Sequence, residues 1–241
     1  MGKSISIIIP AYNEESRIEK TLAEIENYCK KNLKSYEIIV VDDASTDNTY
    51  KIASRHKNKN LRVIKNQINS GKGYSVKRGI LESKSNLILF SDADLSTPIN
   101  ELDRFLYYIG NGFDIVIASR NLKESKKVIK QPWYRDVMGK IFPMLVDIFI
   151  IKDFKDTQCG FKLFKADVAK KIAKVQTLER FAFDVEMLFI AKKMKCRIKE
   201  APVTWIGRKE SKLHPLKDPI RMLADIIKIK VNELKGKYSV N

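Results

Sequence analysis

Histidine and cysteine are nearly absent, at two and three residues in a chain of 241. Cys29, Cys159 and Cys196 are odd in number, far apart and without Cys-x-x-Cys spacing. That excludes a disulfide framework or a zinc knuckle and leaves them as reduced packing residues. His56 and His214 stand alone among lysines, so no Ser-His-Asp or Cys-His constellation can be assembled around them. Long apolar runs are missing too: no window reaches the roughly 18 residues of a membrane-spanning helix. The opening residues 1–10 lead straight into a strand-like segment, not a signal peptide, and the expected location is cytoplasmic. There is no internal repeat or low-complexity tract, and the GxxxxGK[ST] spacing of nucleoside triphosphatases does not occur.

What the chain does contain is enough apolar material, 44% of residues, to bury one substantial core. The formal charge is +17, and it is uneven: residues 1–100 carry 16 basic against 12 acidic side chains, residues 101–241 carry 30 against 17. Such a surplus attracts polyanions, whether nucleic acid, an anionic bilayer or phosphorylated substrates, and composition does not choose among them.

Periodicity gives the fold class. Ile5–Ile9, Glu37–Val41, Leu61–Ile64, Leu87–Phe90 and Asp114–Ala118 read as strands, too apolar throughout to have a wet face. Between them run helical stripes: Ile18, Leu22, Ile25 and Cys29, then Ile99, Leu102, Phe105, Leu106 and Ile109. This alternation predicts a doubly wound α/β domain with helices on both faces of a mostly parallel sheet. Ser16 and Asp47 are expected to cap the helices that follow them. Beyond residue 120 the sequence predicts a helix over Trp133–Ile151, a strand over Gly160–Phe164 and helices over Ala166–Lys174 and Phe183–Lys193. Near the end, Ile220, Leu223, Ala224, Ile227 and Val231 share one helical face flanked by Lys217, Arg221, Lys228 and Lys230; it suits either a core-packed helix or a membrane-surface helix.

In open α/β sheets, ligands bind beyond the carboxyl ends of the strands. Three strands deliver polar residues there: Pro10-Ala11-Tyr12-Asn13-Glu14, Asp42-Asp43, and Ser91-Asp92-Ala93-Asp94. Their clustered carboxylates favour a cation or a hydrogen-bonding guest. An Asp-x-Asp turn offers one or two hard oxygens to Mg²⁺ or Mn²⁺, leaving positions for water and substrate phosphate, although the same pattern often merely caps a helix. Asn69-Ser70-Gly71-Lys72-Gly73 has the look of a phosphate-binding loop at a helix start, or of a simple tight turn.

These segments, Ser6-Ile7-Ile8-Ile9-Pro10-Ala11-Tyr12-Asn13-Glu14, Val40-Val41-Asp42-Asp43-Ala44-Ser45-Thr46-Asp47 and Asp92-Ala93-Asp94-Leu95-Ser96, resemble the family 2 glycosyltransferases. The resemblance is nearest to the polyprenyl-phosphate branch, the dolichyl-phosphate glucosyltransferases and dolichol-phosphate mannose synthases, and it extends from about residue 4 to residue 215. Asp156-Thr157-Gln158-Cys159-Gly160-Phe161-Lys162-Leu163-Phe164 and Phe183-Asp184-Val185-Glu186 are more similar to the glucosyltransferases. The processive-synthase signature Gln-x-x-Arg-Trp is absent.

The resemblance implies the GT-A fold over residues 1–215, with a basic amphipathic helix over 216–241. It implies that Pro10, Tyr12, Glu14, Val41 and Asp43 hold the base and ribose of a nucleotide sugar, UDP-glucose being favoured. Asp92, Ala93, Asp94 and Ser96 would line the diphosphate, Asp92 and Asp94 would carry the Mg²⁺ or Mn²⁺, and Arg120, Arg208 and Lys212 would face phosphate groups, with Asp94, Arg120, Arg208 and Lys212 as the catalytic set. The implied acceptor is a polyprenyl or dolichyl phosphate, reached by a peripheral protein at the cytoplasmic face of a membrane. A hydroxyl acceptor is the alternative; it needs a carboxylate base, for which Asp156 or Asp184 could serve. A basic nucleic-acid-binding module is a third reading, with no nucleic-acid partner expected under the first two.

Overall fold

The computed structural model describes residues 4–128, 150–207 and 217–239, with side chains from 221 in the last segment. Nearly all of the helix expected over Trp133–Ile151, and with it Arg208, Lys212 and His214, lies outside the described residues.

Strands β1 (Ser4–Ala11), β2 (Ser35–Asp42), β3 (Leu61–Lys65), β4 (Leu87–Ser91) and β5 (Ile115–Ser119) match the expected segments to within about two residues at each end. They are followed by β6 (Lys126–Lys127), β7 (Phe161–Lys165), β8 (Ile198–Pro202) and β9 (Thr204–Trp205). Seven strands form one sheet in the order β3-β2-β1-β4-β7-β5-β8, and β6 pairs with β9 separately. The helices are α1 (Ile18–Asn32), α2 (Thr49–Arg55), α3 (Lys72–Glu82), α4 (Leu102–Gly110), α5 (Ala166–Val175), α6 (Phe183–Lys193) and α7 (Lys217–Leu234).

Side chains alternate across a strand, so a run apolar at every position must be covered on both faces. β1 shows it: Ile5, Ile7 and Ile9 join α1 and α4 through Ile18, Leu22, Ile25, Leu102 and Phe105. Ile8 points the other way, into a core with Val76 and Ile80 of α3 and with α5, α6 and α7. Phe105 packs edge-on against Phe161 of β7, centroids 5.1 Å apart. Both rings are fully buried, and truncating Phe105 to Ala would cost about 3–5 kcal/mol.

β7 positions the site. It runs antiparallel between β4 and β5, with Ser91 opposite Phe161 and Ile117 opposite Lys162. A reversed strand begins where its parallel neighbours end. The segment Asp156–Gly160 is therefore brought to the carboxyl edge of β4 and β5, beside Asp92 and Arg120.

Two expectations about ends change. Ser16 does not cap α1; Arg17 holds that position with no side-chain cap, and Glu14 O closes the turn by accepting from Arg17 N and Ile18 N at 3.0 and 2.9 Å. Asp47 does receive the Thr49 N–H at 2.9 Å at the start of α2. On α7 the docked face is Met222, Ile226 and Ile229, all in the core, while Leu223, Ile227 and Val231 of the expected stripe are exposed.

Candidate functional site

The edge beyond β1, β2 and β4 carries three non-glycine residues in the left-handed region, Asn13 at φ 52°, Ala44 at 58° and Leu95 at 46°. Such conformations cost about 1 kcal/mol or more each and persist where the surroundings enforce them. Here hydrogen bonds do so. Asn13 N donates to Ser45 Oγ at 2.9 Å while Asn13 Oδ1 accepts from Thr46 N at 2.8 Å, so the turns after β1 and β2 are laced together. Ser96 N donates to Asp94 Oδ1 at 2.8 Å, and Ser96 O accepts from Ile206 N at 2.7 Å, joining the turn after β4 to the end of β9.

Asp43 is buried and its carboxylate is engaged: it accepts from Asn66 Nδ2 at 2.7 Å, Ser70 N at 3.0 Å and Gly71 N at 2.7 Å. The expected phosphate loop is thereby revised. The anion received by the Ser70 and Gly71 amides is the chain's own Asp43, and the glycines serve packing. A Cβ on Gly71, already at φ 105°, would lie 2.5 Å from Glu179 O, and one on Gly73 would lie 2.6 Å from Phe183 Cβ. Tyr74 N donates to the same Glu179 carbonyl at 3.0 Å.

What this loop contributes instead is Lys72. Its Nζ lies 2.6 Å from Asp92 Oδ1 and 5.2 Å from the centre of the Phe90 ring. Burial opposes its charge, but Asp92, Asp184 and Asp94 together outweigh that, and the ammonium holds its proton above the ordinary lysine range. Behind Phe90, 5.5 Å from its centre, lies a second ammonium, Lys162, which donates to Cys159 O at 2.8 Å and to Asp184. Lys162 and Asp184 are both buried, and burial pushes the Asp184 carboxyl up, an effect that Lys162 and Lys72 only partly offset. The sequence names Asp184 only as a candidate base and Lys162 only within a motif; their pairing has no spacing signal, since one lies in a strand and the other in a helix 22 residues on.

Arg120, after β5, is tied to Asp156: Nε to Oδ2 at 2.6 Å, Nη2 to Oδ1 at 2.8 Å, and backbone N to Oδ2 at 2.9 Å. The guanidinium also lies 5.7 Å from the Trp205 ring centre and keeps 30% of its side chain exposed. Burial would raise the Asp156 carboxyl, but the Arg120 charge and hydrogen bonds hold it below the usual carboxylate range. A buried Asp156 locked by Arg120 is not a general base in this structure, and Asp184 faces Lys162. Burial and Asp156 push the Cys159 thiol up to about 12, which leaves it inert.

Other expected residues are placed as follows. Pro10, Tyr12 and Glu14 are half-buried at the end of β1, with Glu14 paired to Arg17 at 2.8 Å. Val41 is fully buried in the core, so only its backbone can face a ligand. Asp92 and Asp94 are half-buried, and the Ala93 carbonyl accepts from Thr21 Oγ1 at 2.6 Å. Gly160 makes Asp92's position possible, because a Cβ there would lie 2.0 Å from Asp92 Oδ2. Among the described residues, no group of three or more His, Cys, Asp or Glu could hold a metal by itself.

A mostly parallel sheet whose strand ends present an Asp-x-Asp turn, flanked by lysine and arginine, is the arrangement of a protein that binds a charged, phosphorylated ligand. The model of the family described as "Glycosyl transferase family 2" matches residues 6–173. Dolichyl-phosphate beta-glucosyltransferase of Dictyostelium discoideum is 38% identical over 250 residues, covering 98% of this chain and 76% of that protein. The Homo sapiens protein of the same name is 34% identical over 251 residues, covering 98% and 78%. Among solved structures, mannosyl-3-phosphoglycerate synthase from Rubrobacter xylanophilus has a TM-score of 0.70 at 19% identity, covering 98% of this chain and 75% of that one. Glucosyl-3-phosphoglycerate synthase from Mycobacterium tuberculosis, in complex with Mn²⁺, UDP-glucose and glycerol 3-phosphate, has a TM-score of 0.68 at 16% identity, covering 96% and 80%. At such identities the structures speak for the fold alone, which is GT-A. The chain belongs to glycosyl transferase family 2, on the side of that family where the dolichyl-phosphate beta-glucosyltransferases lie.

Proposed function

We propose that the protein transfers glucose from UDP-glucose to a polyprenyl phosphate of the dolichyl type, with inversion at the anomeric carbon. The observation that carries the acceptor assignment is the state of Asp156 and Asp184. Both are buried, and Arg120 and Lys162 hold them. A hydroxyl acceptor would have to surrender its proton to a carboxylate such as these. A phosphate monoester, with a second pKa of about 6, arrives largely dianionic at neutral pH and needs no base. The names of the relatives support the same acceptor and the glucosyl group.

In this reading one phosphate oxygen attacks the anomeric carbon in line with the departing UDP, and a single displacement turns an α-linked donor into a β-linked lipid product. Asp92 and Asp94 would hold a Mg²⁺ or Mn²⁺ ion. Two carboxylates suffice because such ions complete their shell with water and substrate phosphate, and Asp92 Oδ1 already faces a cation, the Lys72 ammonium at 2.6 Å. When bound, the ion stabilises charge on the leaving diphosphate. Lys72 and Arg120 supply fixed positive charge at the same edge, Arg120 in a pose set by its two-point contact with Asp156. Pro10, Tyr12, Glu14 and the Val41 backbone would frame the nucleoside, with Asp43 fixing the loop beside it. The family resemblance adds Arg208 and Lys212, outside the described residues, as candidate phosphate-contacting groups.

The test is to incubate purified protein with Mn²⁺ or Mg²⁺, a short polyprenyl phosphate and a panel of nucleotide sugars, and to seek a glycosyl-phosphoryl lipid by mass spectrometry. A product from UDP-glucose, abolished by EDTA and by Asp94→Ala, is expected. Nucleotide release without glycolipid would sink the lipid assignment in favour of a hydroxyl acceptor.

A further inference from the structure

Helix α7 has two apolar faces, and among the described residues only one of them is packed in the core. Met222, Ile226 and Ile229 are buried in the core, and Asn232 and Tyr238 fasten the same side: Asn232 Nδ2 donates to Thr177 Oγ1 at 2.9 Å, and Tyr238 Oη donates to the buried Glu186 at 2.6 Å. Leu223, Ile227, Val231 and Leu234 are 42%, 61%, 39% and 88% exposed. They are four of the nine large apolar side chains found exposed among the described residues, so the helix carries a patch, not scattered surface residues. At 3.6 residues per turn the four fall within an arc of about 80°, on the side of the helix away from Met222, Ile226 and Ile229.

The charges are ordered around that arc. Exposed Arg221 and Lys228 lie along one edge of the stripe; Lys230 lies along the other, its ammonium turned to the protein side, 3.2 Å from Glu233 and 5.2 Å from the Phe189 ring centre, where Asp225 also lies. Lys235 and Lys237, also exposed, follow the helix. A protein partner with an apolar groove has no need of cations beside the stripe with the acids turned away; an apolar interior beneath an anionic surface does. No helix of the described residues is long and apolar enough to cross a membrane, so this surface would lie on a bilayer and not span it.

We infer that the outer face of α7, Leu223, Ile227, Val231 and Leu234 with Arg221 and Lys228, is a docking surface for an anionic lipid bilayer. The inference rests on the proposed lipid-phosphate acceptor only for its purpose. Its geometry stands by itself. Ile206 is bonded to Ser96 at the site edge, and the ten residues between it and Lys217 span at most about 35 Å, so a helix held on a bilayer keeps the site near the headgroups.

The experiment is vesicle flotation of the full chain with phosphatidylcholine vesicles with and without 30% (about one lipid in three) phosphatidylglycerol. No donor, acceptor phosphate or metal is present, so the result does not depend on the proposed reaction. Wild type is expected to float with the anionic vesicles only. Lys228→Gln should weaken binding roughly fivefold. The triple variant Leu223→Gln, Ile227→Gln, Val231→Gln should lose binding at least tenfold while melting at the wild-type temperature, since none of the three packs in the core. Absence of wild-type flotation, or a triple variant that floats as well as wild type, overturns the inference. So does light scattering that finds a wild-type dimer and a triple-variant monomer, for then a second copy covers the stripe.

Discussion

Replacing Gly160 by alanine tests how the Asp-x-Asp turn is held. The added Cβ would lie 2.0 Å from Asp92 Oδ2 and 2.2 Å from its Cγ, whereas ordinary contact begins at 3.4 Å. Relief requires the carboxylate to move by about 1.4 Å, the difference between those distances. Asp92 can rotate away without unfolding the domain, because its backbone N remains bonded to Gly160 O at 3.0 Å. The Gly160 backbone is not in the left-handed region, so alanine itself is tolerated there. A displacement of this size at a reacting centre costs on the order of 10²-fold in rate. The expected result is kcat for glycolipid formation down about 100-fold, half-saturation by Mn²⁺ raised, and a melting temperature within a few degrees of wild type. Activity within threefold of wild type in a normally folded variant would refute the claim that the bare Gly160 backbone sets the Asp92 carboxylate. Normal kcat with a raised UDP-glucose KM would instead leave Asp92 positioned by Gly160 but confine its role to ground-state binding.

Glu186 accepts from Thr177 N, Thr177 Oγ1, Leu178 N and Tyr238 Oη at 2.6–3.0 Å while buried, so Glu186→Gln should cost about 3 kcal/mol and lower the melting temperature by roughly 6–12 °C; a shift under 2 °C would show the lock to be dispensable. Because Arg120 holds the Asp156 carboxyl below its usual range, the pair's stabilisation is complete above the unfolded value of about 3.9 and is lost as pH falls through the folded one. Asp156→Asn should therefore unfold more easily by about 3–5 kcal/mol at pH 7, with the gap to wild type closing on acidification below about pH 4; denaturant titrations showing a constant gap down to pH 3 would contradict this. Metal and nucleotide should bind together: calorimetry is expected to show Mn²⁺ tightening UDP at least tenfold and UDP tightening Mn²⁺ by the same factor, and independent binding would remove Asp92 and Asp94 from the shared site.

The parts of the fold that could be read from sequence are those where one residue pattern has one physical meaning. Continuous β-branched runs bounded by polar turns could only be doubly covered strands, and β1, β2 and β4 appear where Ile5–Ile9, Glu37–Val41 and Leu87–Phe90 announced them. Asp92 and Asp94 were legible for the same reason, as acids directly after a buried strand. The direction of β7 was not, since antiparallel insertion between β4 and β5 leaves no trace in the composition of Phe161–Lys165. Without that reversal nothing connects Asp156 to Arg120 or Gly160 to Asp92. The loop at Asn69–Gly73 misled because glycines that admit a phosphate and glycines that admit a neighbouring backbone look alike, and here Glu179 and Phe183 are the neighbours. On α7 the stripe Leu223, Ile227 and Val231 is the exposed face, and the face that packs in the core is Met222, Ile226 and Ile229, which the apolar spacing of the stripe did not point to.

The site's rigidity comes from elements that contribute nothing to its surface. Glu186 of α6 gathers Thr177 and Leu178, the next residue, Glu179, receives Tyr74 N, and its carbonyl blocks any side chain at Gly71. The amino end of α3 is thus clamped between Asp43 on one side and the Thr177–Glu179 turn on the other, and Lys72 projects from that clamp toward Asp92. The buried Lys162–Asp184 pair belongs to the same construction. Buried ion pairs add little to stability against an apolar alternative, so stability alone does not account for it. Its position does: Lys162 and Lys72 lie on the Phe90 ring that immediately precedes Ser91 and Asp92. Asp92, Asp94 and Asp184 against Lys72 and Lys162 leave the cluster one formal negative charge, fixed in a partly buried setting where water can screen it least. A divalent ion alone would over-neutralise that charge, and a diphosphate alone would be repelled by it. A cluster of this composition is expected to take a diphosphate more readily with a divalent ion than without one, which is the coupling that the calorimetric measurement tests.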